Sequence, residues 1–127
     1  MKGQREALIA VDIGISAIRT YQIEINGDYF VKEIAMPSCS TPGALTIFVS
    51  EAITLIDPDF CFNAVSIAIP AVIDRTGRCI ETCPGLIGWN NVPFAEWLEI
   101  RLQRRVDLVT KGSFLPIQGV FEFFCNR

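Results

Sequence analysis

Hydrophobic and polar positions change rhythm several times along this chain, and each change marks an element. Residues 7–11 are an unbroken apolar run, Ala-Leu-Ile-Ala-Val, the pattern of a strand covered on both faces. Over residues 20–25 the positions alternate, with Tyr21, Ile23 and Ile25 set against Thr20, Gln22 and Glu24. That alternation belongs to a half-buried strand. Asn26-Gly27 follows, a pair that tolerates the positive φ angles of a type I′ turn, and residues 29–35 return as a third strand. The opening therefore reads as a three-stranded antiparallel meander.

The rhythm then lengthens. Ser, Pro and Thr in residues 37–42 mark a loop. Residues 43–56 set Leu45, Phe48, Val49, Ala52, Ile53 and Ile56 at three-and-four spacing, the stripe of an amphipathic helix. Asp57-Pro58-Asp59 stops it, because a residue before proline is pushed out of the helical region. Residues 63–70 form a second buried strand. Residues 71–81 read as a β-excursion turning at Arg75-Thr76-Gly77, and residues 83–91 as a loop rich in Pro, Gly and Asn. A second helix is expected over residues 92–104, with Phe94, Trp97, Leu98 and Leu102 as its stripe and Asn91 as its N-cap. Pro93 suits a first turn, where its missing N–H is no loss. Glu96 early and Arg101, Arg104 and Arg105 late complement the helix dipole. Residues 106–109 close as a short strand.

This order predicts an α/β domain, a mixed sheet with the antiparallel meander first and helices packed on it. It fits a ribonuclease-H-like half, the unit found twice in actin-like ATPases and sugar kinases. The strand order itself does not follow from the pattern. The domain is expected over residues 1–110. Residues 111–127 form a divergent tail, apolar at Phe114, Leu115, Ile117, Val120, Phe121, Phe123 and Phe124 but interrupted by Pro116 and Gly119.

Composition narrows the chemistry. The 127 residues are half hydrophobic and carry a net charge of −3, which suits one folded domain and offers nucleic acid no basic surface. No apolar stretch nears the roughly 20 residues that span a bilayer, and Asp12 ends the first run short of a secretory signal core. A cytoplasmic protein, with neither membrane nor nucleic acid as partner, is the expectation. Cys39, Cys61, Cys79, Cys83 and Cys125 are odd in number and scattered. Reduced thiols are expected, and no zinc site, since there is no histidine to share the ligation. The missing histidine also excludes Ser-His-Asp and Cys-His catalysis.

One pentapeptide stands out. Asp12-Ile13-Gly14-Ile15-Ser16 offers an aspartate at a strand end that can hold waters on Mg²⁺, a glycine that lets a phosphate approach, and a hydroxyl donor. The same residues also suit a plain bend whose Asp12 satisfies local N–H groups.

Three segments together resemble the N-terminal part of the ROK family of sugar kinases, of the glucokinase-like sort. "IAVDIGISAIR" is similar to the family's Asp-x-Gly-Gly-Thr phosphate motif. "VSIAIPAVIDRTGRCIETCPGLIGWNNVPFAEWLEIRL" resembles its Gly-x-Pro-Gly-x-Val-Asp stretch, then its Pro-Gly-Trp-x-Asn-Val-Pro loop and amphipathic helix. "RRVDLV" resembles the strand leading to an Asn-Asp pair. The likeness covers residues 8–109, and Gly88-Trp89-Asn90-Asn91-Val92-Pro93, at its distance from Pro70 and Asp74, is its specific part. The resemblance implies transfer of the ATP γ-phosphate to a hexose hydroxyl, with ATP and Mg²⁺ at Asp12, Gly14 and Ser16. It implies a sugar against Ala71, Val72, Thr82 and Cys83. Trp89 and Pro93 are expected to anchor a helix rather than to stack on a ligand.

The chain departs from this pattern at several points. Ile15 stands where the family has its second glycine, and a β-branched residue resists positive φ and crowds an anion. Ala71 replaces a glycine. Thr110 and Lys111 fall on the Asn-Asp pair whose aspartate is the general base, and a cationic ammonium does not replace a carboxylate. The family pattern also stops after residue 110, and with these departures the resemblance implies a truncated kinase half, inactive alone. The alternative is a non-catalytic module that binds sugar, or that forms a homo-oligomer through its apolar tail or a sheet edge. A pilus-assembly type of actin-like ATPase shares Asp-Ile-Gly followed by Ser, but not the Gly-Trp-Asn-Asn-Val-Pro loop.

Overall fold

The computed structural model describes residues 7–14, 16–24, 28–62, 64–84 and 86–110. Among them are β1 (Ala7–Ile13), β2 (Ala17–Glu24), β3 (Tyr29–Ala35), α1 (Pro42–Ile56), β4 (Ala64–Ile69), β5 (Val72–Ile73), β6 (Ile80–Thr82), α2 (Phe94–Leu102) and β7 (Arg105–Thr110). Five strands make one sheet in the order β3-β2-β1-β4-β7, and β5 pairs with β6 in a separate ribbon. β1–β2 and β2–β3 are antiparallel, while β1–β4 and β4–β7 are parallel. This is the ribonuclease-H-like half that the sequence pattern suggested. The Asn26-Gly27 turn, Ile15 and the tail at 111–127 lie outside the described residues.

Central β1 sets the two faces of the sheet. Its odd positions Ile9, Val11 and Ile13 gather Ile18, Val65, Ile67, Ile69, Val106 and Leu108 into one core. Against that core pack Leu45, Val49, Ile53 and Ile56 of α1 and Phe94, Ala95, Leu98 and Leu102 of α2. Its even positions Leu8 and Ala10 join Tyr21, Ile23 and Ala68 in a smaller buried cluster on the opposite face. An unbroken apolar run is what a strand buried on both sides requires.

α1 starts where Thr41 accepts the Ala44 N–H at 3.4 Å, with Pro42 in the first turn. It stops at Asp57, whose carboxylate becomes a hub. Asp57 accepts the N–H groups of Cys61 at 2.8 Å and Phe62 at 3.1 Å, and pairs with Arg104 at 2.7 Å. Both side chains are almost fully buried, at 3% and 4% exposure. Arg104 also donates to the Phe62 carbonyl at 2.9 Å and lies 3.9 Å over the Phe60 ring.

α2 is shorter than the pattern suggested, and Asn91 is not its cap. Val92 exchanges two 2.8 Å backbone hydrogen bonds with Ile80. That bridge holds Val92 extended, so no helix can begin there. Asn91 adopts φ 55° and donates its N–H to the Glu81 carbonyl at 3.0 Å. Pro93 takes the cap position with no side-chain hydrogen bond. Gln103, at φ 56°, ends the helix, so Arg104 and Arg105 lie beyond its last turn. Arg104 serves the buried pair instead, and Arg105 pairs with Asp107 on β7.

The β5–β6 ribbon folds over the outer edge of β7. Leu108 donates its N–H to the Gly77 carbonyl at 3.2 Å, and Arg78 donates to the Val106 carbonyl at 2.6 Å. Glu99 accepts the Val106 N–H at 2.9 Å and pairs with Arg78.

Two predictions follow from these pairs. Arg104→Ala leaves Asp57 buried without its cation and is expected to cost about 3–5 kcal/mol in urea unfolding, against under about 1 kcal/mol for the half-exposed Arg19→Ala. The Arg78 guanidinium, bonded to Glu99, holds that carboxyl below its ordinary 4.5. A depressed folded-state pKa contributes stability above the unfolded value and loses it as pH falls through the folded one. The stability gap between wild type and Glu99→Gln should therefore be widest at neutral pH and narrow below about pH 4, read from urea midpoints.

Candidate functional site

β1, β4 and β7 run the same way, so their carboxyl ends open on one edge of the sheet. That is where open α/β sheets hold ligands. Asp12 lies there, in register between Arg19 of β2 and Ala68 of β4. Pro70 and Ala71 leave β4 at the same edge, and Thr110 ends β7 opposite Ile69. The fold thus brings the 12–16 hairpin and the segment after β4 to one edge.

Within the hairpin, Ile13 pairs with Ile18, and Gly14 donates its N–H to the Ala17 carbonyl at 2.9 Å. The Gly14 N–H is therefore engaged inside a four-residue turn. Ser16 is exposed, and its carbonyl accepts the Met36 N–H at 3.0 Å. Asp12, Arg19 and Glu33 form a row across three strands. The Arg19 guanidinium sits 3.9 Å from the Asp12 carboxylate and 3.2 Å from Glu33. Sequence reasoning did not single out Arg19. The signal was present: a turn closing at Ile13–Ile18 sets residues 12 and 19 opposite each other.

The four residues of the second segment divide into two layers. Val72 and Thr82 pair across the ribbon and are exposed. Ala71 is buried, with its N–H turned back to the Ile69 carbonyl at 2.8 Å. Cys83 is buried, its thiol 3.6 Å from the Pro70 carbonyl, and burial pushes its pKa up. Asp74 closes the ribbon's tip. Its carboxylate accepts the Thr76 hydroxyl at 2.9 Å and the N–H groups of Arg78 at 3.1 Å and Cys79 at 3.2 Å. These bonds, the Cys79 N–H first, hold it below the usual carboxylate range.

Trp89 is buried, donates Nε1–H to the Ser40 carbonyl at 2.9 Å and meets Phe94 edge-on at 5.1 Å. It clamps the loop before α2 to the segment before α1. Among the described residues no group of three or more Cys, Asp or Glu is placed to hold a metal ion, and no helix is long and apolar enough to cross a membrane.

The sequence matches no family model and no curated protein. Solved structures match its shape. The ROK family glucokinase from Streptomyces griseus, in complex with glucose and AMPPNP, gives a TM-score of 0.73 at 20% identity, covering 82% of this chain and 33% of that chain. The inorganic polyphosphate/ATP-glucomannokinase from Arthrobacter sp. strain KM gives 0.72 at 19% identity, covering 82% of this chain and 44% of that one. The fold is that of the ROK sugar kinases. A ROK family transcriptional regulator, a homologue of the E. coli MLC protein, shares it with a TM-score of 0.68 at 10% identity over 82% of this chain and 27% of that one. The chain spans less than half the length of these ROK-fold proteins. Kinase and regulator carry the same fold, so fold alone does not assign the chemistry.

The clamp made by Trp89 has a spectroscopic signature. Trp89→Phe removes the hydrogen bond to Ser40 and some packing, at an expected cost of about 1–3 kcal/mol. Its fluorescence, left to the 36%-exposed Trp97, should shift to the red. Trp97→Phe should leave a blue-shifted emission and near wild-type stability.

Proposed function

We propose that this chain is the N-terminal half of a ROK-type hexose kinase, able to meet a sugar but not to transfer phosphate on its own. One observation carries the reading. In a ROK sugar-kinase fold, the 12–16 hairpin and the Pro70–Ala71 turn reach the carboxyl edge of the sheet, with Val72, Thr82 and Cys83 beside that turn. In this reading the Thr82 hydroxyl and the Ala71 carbonyl supply partners for sugar hydroxyls, which are costly to bury without one. Val72 supplies an apolar wall.

ATP would bring the γ-phosphoryl group, and Mg²⁺ its charge compensation. Such transfer rests on positioning and electrostatics around a clamped nucleotide. The hairpin does not fit that group well. The Arg19 guanidinium already stands 3.9 Å from the Asp12 carboxylate, and the Gly14 N–H is engaged with Ala17. Ile15 supplies a branched side chain where the family has glycine, and Lys111, where the family has its base aspartate, carries no carboxylate to take a proton from a sugar hydroxyl. These features favour a non-catalytic, sugar-binding half over an active enzyme. The four described cysteines are free thiols, in keeping with a reducing compartment such as the cytoplasm.

Purified protein with Mg-ATP and a panel of hexoses is expected to release no ADP beyond the sugar-free blank. Sugar-dependent ADP release would overturn the reading. Calorimetry with glucose should show weak binding that Thr82→Val loosens about threefold to tenfold, the worth of one hydrogen bond.

A further inference from the structure

The two edges of the sheet are finished differently. On β7 the outward groups of Val106 and Leu108 are met by Arg78, Glu99 and Gly77. On β3, the other edge, no strand among the described residues pairs with the outer side. Residues 29–33 are exposed on both faces, with Tyr29 at 47%, Phe30 at 58% and Val31 at 39%. A long edge carrying aromatic and β-branched residues is a template for another strand.

The hydrogen-bond parity of β3 specifies how that strand would sit. Glu24 donates its N–H to the Asp28 carbonyl at 2.8 Å, and Met36 donates to the Ser16 carbonyl at 3.0 Å. Even-numbered residues therefore turn their polar backbone toward β2. By the alternation of an antiparallel ladder, Tyr29, Val31, Glu33 and Ala35 turn theirs outward.

The geometry points to a second copy of this chain, paired antiparallel along β3 with Val31 on the two-fold axis, so that one sheet runs through both copies. Directly opposed residues share a face, so an antiparallel two-fold must pass through a residue, at a hydrogen-bonded or a non-hydrogen-bonded pair. Centred on Phe30 or Ile34, only two outward pairs would form within β3, and centred on Lys32 the ammonium would oppose its own copy. Tyr29 and Ala35 stand at the ends and would pair only a fragment of the strand. Glu33 would oppose its own carboxylate, and like charges directly opposite destabilise. Val31 gives three hydrogen-bonded pairs, Tyr29 with Glu33, Val31 with Val31 and Glu33 with Tyr29. On the helix-side face it sets the Lys32 stem against the Phe30 ring. Lys32 also comes diagonally toward Asp28 of the second copy. An isologous contact of this kind closes as a dimer and leaves the protected β7 edges outermost.

The full chain is expected to run at twice the monomer mass in sedimentation velocity at tens of micromolar. Val31→Lys and Val31→Glu each set a like charge against itself and should weaken association at least tenfold, with wild-type circular dichroism. Mixing the two variants in equal amounts should restore the dimer, because lysine then faces glutamate. Should either variant fail to fold, amide exchange of the wild type carries the test. The Tyr29, Val31 and Glu33 amides should gain protection with rising concentration, while those of Phe30 and Lys32 stay protected throughout. A wild type that stays monomeric, single variants that dimerise as tightly as the wild type, a mixture that does not recover, or amides without concentration-dependent protection would each overturn the proposal.

Discussion

The buried pair between Asp57 and Arg104 governs how the chain enters its parallel strands. Both connections converge on it: α1 ends at Asp57 just before β4, and α2 ends just before Arg104 and β7. Taking two charges out of water costs several kcal/mol per ion unless geometry and further hydrogen bonds compensate. Here they do. Asp57 also accepts two backbone N–H groups, and Arg104 also donates to the Phe62 carbonyl and covers the Phe60 ring. The amide of Gln22 adds a tie from β2 to the Ile56 carbonyl at the end of α1. The starts of β4 and β7 are pinned at the amino edge, and the carboxyl edge inherits their register.

At that carboxyl edge the fold and the chemistry part company. The fold is that of the ROK sugar kinases. Yet the hairpin that would meet a phosphate is closed on itself by the Gly14–Ala17 hydrogen bond, and Arg19 bridges toward Asp12 and Glu33. The Arg19 guanidinium, 3.9 Å from the Asp12 carboxylate, offsets part of the charge that a metal would otherwise answer. The ribbon, in contrast, keeps Val72 and Thr82 at the surface, with Ala71 and Cys83 buried behind them. The asymmetry is the ground for proposing a sugar-meeting role over a nucleotide-meeting one.

Much of the fold could be read from local pattern. The apolar run of β1, the alternation of β2 and the helical stripe of α1 each report burial against neighbours that any fold of this class must supply. What escaped was set by partners distant in sequence. Val92 looks like the first turn of a helix until Ile80 pairs with it, and that bridge moves the start of α2 to Phe94. Arg104 reads as a dipole partner because nothing local reveals a buried Asp57 forty-seven positions earlier. Arg19 was hidden because its role exists only once the hairpin register is fixed. Trp89 shows the opposite case: its loop is recognisable in sequence, and its indole binds the segment before α1.

In the proposed function, the chain meets a sugar through the β4–β6 segment and does not cradle a nucleotide. Backbone amide NMR, titrating glucose and then Mg-AMPPNP separately into the protein, tests it most directly. The predicted result is saturable shifts with glucose at Ala71, Val72, Thr82 and Cys83, and none with nucleotide at Gly14 and Ser16. Saturable nucleotide shifts at Gly14 and Ser16, with no response of the 71–83 segment to glucose, would contradict it.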